Sequence, residues 1–254
     1  MLIVLKDYNR KSLRGAEVRL SEQVCRERVD HSVIAYWENK EEILLAVAQI
    51  IAIAGALLDR LLSTMFSVID STKFTSWNIE EAEIFVCNKI AKRTVYPVGI
   101  SFNNESVASP VDEAVPPAPP TKEKLLYGDA WFDNNEAIGI LFRKGYTPII
   151  CPNKNRWRGY YRKKARRLYR MPEHRLGYRQ RGRGESLFGS LTNSYRDRFK
   201  TRNITVTRAR IASRVLCYQI RLLLRAETNL LLIVRHTPAF YIDNCKIAAK
   251  QRGL

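Results

Sequence analysis

Asp70, Asp129 and Glu185 lie far apart in the chain, each in a local pattern that would carry a carboxylate to a shared place. Asp70 follows the apolar run Met65-Phe66-Ser67-Val68-Ile69, which reads as a buried strand with an acid at its end. Asp129 repeats the pattern after Leu125-Leu126-Tyr127-Gly128. Glu185 precedes Leu187, Phe188 and Leu191, which recur at helical spacing and leave the acid at a helix start. Three carboxylates are hard oxygen donors, suited to Mg²⁺ or Mn²⁺ rather than to thiolate-seeking metals. The chemistry they could support is phosphodiester cleavage with two cations about 3.5–4 Å apart, Asp70 serving both and Asp129 and Glu185 one each. An Asp after a strand is also a common turn residue or helix cap. The surrounding elements and charge therefore have to decide.

The elements around these acids follow a definite order. Residues 12–20 and 31–40 read as two short helices about a turn near 26–30, with Leu13, Ala16 and Leu20 on one apolar face and Val33, Ile34 and Trp37 on the other, a helix-turn-helix pattern. Residues 43–58 are the most apolar stretch, short for a membrane span and read as a core helix. Three strands follow, at 65–72, 82–87 and 94–100. Ser109 as N-cap, Pro110 at the first helical position and Asp112 and Glu113 in the first turn predict a short helix, stopped by the prolines at 116–120. The Asp129 strand, a helix over 134–144, a strand over 148–151, a basic stretch, the Glu185 helix and a long helix over 206–226 complete the chain. Asp133 is expected either behind the metal ligands or as the cap of the 134–144 helix.

That order, strand, strand, strand, helix, strand, helix, strand, basic segment, helix, is the order of the ribonuclease H-like α/β fold. The expected architecture is a mixed sheet flanked by helices, preceded by a small helical region. The expected division is 1–60 as a helical, DNA-reading region, 61–230 as the catalytic domain with a basic segment at 153–183, and 231–254 as a tail.

The charge names the partner. The chain carries 43 Lys and Arg against 25 Asp and Glu, a formal +18. Residues 151–214 hold 20 of those cations and only three acids, Glu173, Glu185 and Asp197, so the surplus is local. A concentrated surplus calls for a polyanion, whereas a merely solubilising surface mixes both signs. Residues 153–183 interleave thirteen Lys and Arg with Trp157, Tyr160, Tyr161, Tyr169 and Tyr178, cations for phosphates and rings for bases. Arg162, Lys163, Arg166 and Trp157 are the expected DNA contacts there, and Arg179, Arg181 and Arg183 are expected to hold the scissile phosphate beside Glu185. Five scattered cysteines without a CxxC pair fit reduced thiols rather than a zinc site.

These residues resemble the DDE transposases of prokaryotic insertion sequences, in the retroviral-integrase superfamily, over residues 64–226. The resemblance rests on Val68-Ile69-Asp70-Ser71-Thr72, on Asp129-Ala130-Trp131-Phe132-Asp133, and on a spaced block near the third acid. One branch of that family carries Tyr, two residues, Arg, three residues, Glu, six residues, Lys. Tyr178, Arg181 and Glu185 stand at that spacing, and Thr192 stands where the lysine should be. Arg196, one helical turn further, is the candidate to replace its charge. The resemblance implies metal-dependent cleavage and strand transfer at the inverted repeats of a transposon and into target DNA. It also implies a homo-oligomer when bound to DNA, no membrane, and the nucleoid-associated cytoplasm of a prokaryote. A DNA-binding repressor derived from such an enzyme is the alternative.

Overall fold

A computed structural model describes the backbone of residues 1–236 apart from 79, 120–123, 156–157 and 196–197, and their side chains apart from 194–195 and 227–236. Trp157, Arg196 and residues 237–254 of the expected tail therefore lie outside the described residues. The chain opens with four short helices, α1 (Leu2–Tyr8), α2 (Leu13–Arg19), α3 (Ser21–Cys25) and α4 (His31–Glu38), and the long α5 (Glu41–Leu61). The expected helix pair corresponds to α2 and α4. Three antiparallel strands follow, β1 (Thr64–Thr75), β2 (Glu81–Ala91) and β3 (Val95–Ser101), then α6 (Ala108–Ala114) and β4 (Leu125–Gly128). A short 3-10 turn over Ala130–Phe132 leads to α7 (Asn135–Arg143) and β5 (Thr147–Ile150). The basic segment folds into α8 (Tyr160–Arg170), α9 (Pro172–Tyr178) and a 3-10 turn, before α10 (Glu185–Tyr195) and α11 (Ile204–His236).

The five strands lie in the order β3-β2-β1-β4-β5, with β4 parallel to β1 and β5 parallel to β4. This is the ribonuclease H-like mixed sheet that the element order predicts. Alternation along β1 assigns its side chains to two layers. Phe66 and Val68 face the layer of α5, α10 and α11, with Val47, Ile51, Leu187, Leu191, Ile211 and Val215. Ile69 faces the layer of α6, α7 and α8, with Val111, Ile138, Leu141 and Ala165. Gln219 of α11 is buried and donates from Nε2 to the carbonyls of Ile51 (2.8 Å) and Pro97 (2.9 Å), tying α11 to both α5 and β3.

Three local expectations are corrected. β1 runs three residues past its expected end at Thr72, because Lys73 to Thr75 continue the antiparallel pairing with Glu83 to Glu81. The cap of α6 is not Ser109: the Ser106 hydroxyl accepts from the backbone N–H of Ala108 and Ser109, so the helix starts earlier. Asp133 does not cap α7, since Asn134 does so through Oδ1, accepting from Glu136 and Ala137 N–H.

Candidate active site

Strand parity and register bring the acids toward one another. Asp70 shares its side of β1 with Phe66 and Val68, the side on which α10 packs. Val68 pairs with Tyr127 in the parallel β1–β4 ladder, so continuing that register by two residues sets Asp129 beside Asp70. Glu185 is the first residue of α10, and the residue before it is Gly184. A Cβ at position 184 would stand 2.9 Å from Val68 Cγ1, so the glycine lets the α10 start approach β1 closely.

A guanidinium sits among the carboxylates. Arg181 Nη1 donates to Asp70 Oδ2 at 3.1 Å and its Nη2 donates to Glu185 Oε1 at 3.1 Å. The acids are otherwise fixed by backbone amides: Asp70 Oδ1 accepts from Ser71 N–H (3.0 Å), and Asp129 Oδ1 accepts from Trp131 N–H (2.9 Å). Burial pushes the Asp70 carboxyl above the ordinary range; the Arg181 charge and the Ser71 amide oppose this, and the charges of Asp129 and Glu185 add to it. Three mutually repelling acids are thus tolerated because a cation stands among them. Among the described residues, only Glu17, Asp30 and His31 bring ligand atoms all within 4.8 Å of one another. That trio is already engaged: Glu17 accepts from Arg28 and contacts His31, while Asp30 caps α4.

The remaining expected site residues divide into those near the acids and those turned elsewhere. Tyr178 donates its hydroxyl to the Gly128 carbonyl at 3.2 Å and packs edge-on against Tyr127 and Tyr169, so it supports the end of β4 next to Asp129. Arg183 turns away from the acids and donates to the carbonyls of Ala91 (2.7 Å) and Lys92 (3.1 Å). Arg179 is exposed. Arg162 and Arg166 are not outward phosphate contacts. Arg162 Nε donates to Asp133 Oδ1 at 2.9 Å, Arg166 Nη2 lies 3.7 Å from Asp133 Oδ2, and Asp133 itself is buried. A buried carboxylate needs such partners. Lys163, Arg167 and Arg170 form the exposed basic side of α8 instead. Thr192 directs its hydroxyl back to the carbonyls of Phe188 (3.0 Å) and Gly189 (3.2 Å), so it supplies no charge to the site.

One residue at this site escapes sequence reasoning. Trp131, 40% exposed, follows Asp129 by two positions and lies against Phe85 with ring centroids 5.0 Å apart. Its signal is an aromatic beside an expected site acid, but packing on Phe85 of β2 and on Phe132 holds it at the surface.

The donor set here is three carboxylates with a guanidinium already seated between two of them, a place that accepts positive charge. As hard oxygen donors these carboxylates are of the kind divalent cations take, while in this arrangement their oxygens do not all lie within 4.8 Å of one another. A protein-family model, described as the transposase DDE domain, matches residues 94–220, half of the chain. The match takes in Asp129 and Glu185 and begins after β2, so Asp70 lies ahead of it. No curated protein and no solved structure matches.

Proposed function

The chain belongs to the transposase DDE domain family, and from that premise we propose that it cleaves DNA at the ends of an insertion sequence and joins them to target DNA. The observation that carries this reading is the approach of Asp70, Asp129 and Glu185 from β1, the end of β4 and the start of α10 around one guanidinium. Asp70, Asp129 and Glu185 would hold Mg²⁺ or Mn²⁺. When bound, such cations activate a water or 3′-hydroxyl and neutralise the leaving oxygen.

The protein's own groups do the rest. The Ser71 and Trp131 amides hold Asp70 and Asp129 in fixed orientation, which lowers the cost of assembling the site. Tyr178 steadies the backbone at Gly128. Arg181 carries a planar fork that matches a phosphate as well as a carboxylate, and would contact the scissile phosphate once the acids are otherwise engaged. Lys163, Arg167 and Arg170 would follow the DNA backbone along α8.

A binding-only derivative is the second reading, and it draws on Thr192, which leaves no positive charge where the resembling branch has one. One experiment separates the two. Duplexes carrying the terminal repeats of the element are incubated with wild type, Asp70→Asn, Asp129→Asn and Glu185→Gln, with and without Mg²⁺. We expect Mg²⁺-dependent cutting by wild type, a loss of at least about a hundredfold in each variant, and DNA binding retained. Near-normal cutting by any one variant removes that residue from the site, and no cutting by wild type favours the second reading.

A further inference from the structure

The N-terminal helices are locked onto the rest of the chain by a buried ionic knot. Lys6 of α1 lies 2.6 Å from Glu38 Oε1 and 3.0 Å from Asp7 Oδ1, and Arg210 of α11 donates from Nη2 to Glu38 Oε2 at 2.7 Å. Glu38 is fully buried. Around this knot opens a cleft of about 700 Å³ between the α1–α2 turn and the first half of α11. Seven Lys and Arg side chains and His31 line it, against one lining carboxylate, Asp7. Two of the cations, Lys6 and Arg210, belong to the knot. The outer wall is made by Lys11, Arg14 and Lys200, the last from the segment that joins α10 to α11. Residues 11, 14 and 200 come from distant parts of the sequence and carry no acid between them.

We infer that this cleft grips the phosphate backbone of duplex DNA outside the carboxylate site. The inference rests on the DNA-processing function proposed above and assigns a second, separate contact to it. The composition of the lining favours a duplex over a single small anion. The cations come from α1, the α1–α2 turn, α2, the α10–α11 segment and α11 rather than from one element, the positive lining exceeds what one phosphate neutralises, and Lys6 and Arg210 are tied down by Glu38. Within the expected helix pair, the cleft takes Leu13 and Arg14 from α2 and only His31 from α4. That helix contains no Lys or Arg, and its outward residues are Val33, Tyr36 and Trp37, so it offers rings and not phosphate partners. Of the N-terminal cations, Lys6, Arg10, Lys11 and Arg14 line the cleft, from α1, the α1–α2 turn and the start of α2.

The test compares two charge-reversal triples by fluorescence anisotropy on a labelled duplex of about 20 base pairs, in EDTA so that no cutting intervenes. One triple is Lys11→Glu, Arg14→Glu, Lys200→Glu in the cleft. The other is Lys163→Glu, Arg167→Glu, Arg170→Glu on α8. All six side chains stand at the surface or half-buried at the cleft mouth, and circular dichroism checks folding. Each DNA phosphate that a triple ceases to neutralise should reduce the slope of log affinity against log salt by about 0.9. The cleft triple is expected to flatten that slope by about two to three and to weaken binding at least tenfold. An unchanged slope in the cleft triple, with a fall in the α8 triple, overturns the cleft and leaves the proposed function standing. Absence of DNA binding by wild type overturns both. A third arm adds inorganic phosphate: if it raises the melting temperature of wild type as much as duplex does at equal phosphate, and the cleft triple abolishes that rise, the cleft is a small-anion site and the inference is wrong.

Discussion

Arg181 is placed between Asp70 and Glu185 by two bonds of 3.1 Å each, and the buried Asp70 has few other sources of compensation. The guanidinium therefore competes for the same oxygens as a divalent cation. We expect Arg181→Ala to bind Mn²⁺ about tenfold more tightly by calorimetry, a change worth about 1.4 kcal/mol. The same variant should melt lower than wild type in EDTA, because a buried carboxylate has lost its counter-charge, and should cut DNA poorly. Mn²⁺ affinity equal to or below that of wild type would show that the arginine does not hold the place of a cation. The acids themselves are legible from sequence because each sits at the edge of a short apolar pattern. Which arginines face outward is not, because Arg162 and Arg166 are drawn inward by Asp133, a residue 29 and 33 positions away whose burial only the folded chain determines.

At the scale of elements, strand and helix types are readable because β1, β2 and β3 are rich in β-branched and aromatic residues while α5 and α11 carry long apolar faces. Ends are less so. The local pattern closes the first strand at Thr72, whereas pairing with β2 carries β1 on to Thr75, a tertiary effect that no local signal announces. The helicity of α8 is hidden by its composition, since eleven residues holding six Lys and Arg leave few apolar positions, among them Ala165, buried against the α6–α7 layer, and Tyr161, whose ring lies 5.9 Å from that of Phe142. The joint between elements offers a sharper test. Glu38 is the carboxylate that meets both Lys6 and Arg210, so Glu38→Gln leaves Lys6 with Asp7 alone and strips Arg210 of this partner near the core. Breaking a buried pair in this way costs about 3–5 kcal/mol. Chemical denaturation should register a loss of that size; a loss below about 1 kcal/mol would mean that the knot relaxes into water.

At the scale of the whole molecule, packing crosses the boundary expected near residue 60. α5 sends Val47, Ile51 and Ala54 into the layer beside the sheet, and the Val4 carbonyl of α1 accepts from the Cys217 thiol at 3.5 Å. Composition reveals that the partner is polyanionic but not where it lies, because the cleft draws its cations from residues nearly 200 positions apart.

The Glu38 knot ties α1 and α4 to α11, and Gln219 ties α11 to β3, so side-chain contacts link the cleft to the sheet that carries the carboxylates. A protein built this way would work as a caliper, with the span between grip and cut set by the fold. Lengthening the duplex by about five base pairs, half a helical turn, between the segment held in the cleft and the cleavage point should then shift the cut by the same number of base pairs or abolish it. Cutting that stays at its original phosphate after such an insertion would show that the jaws are not fixed.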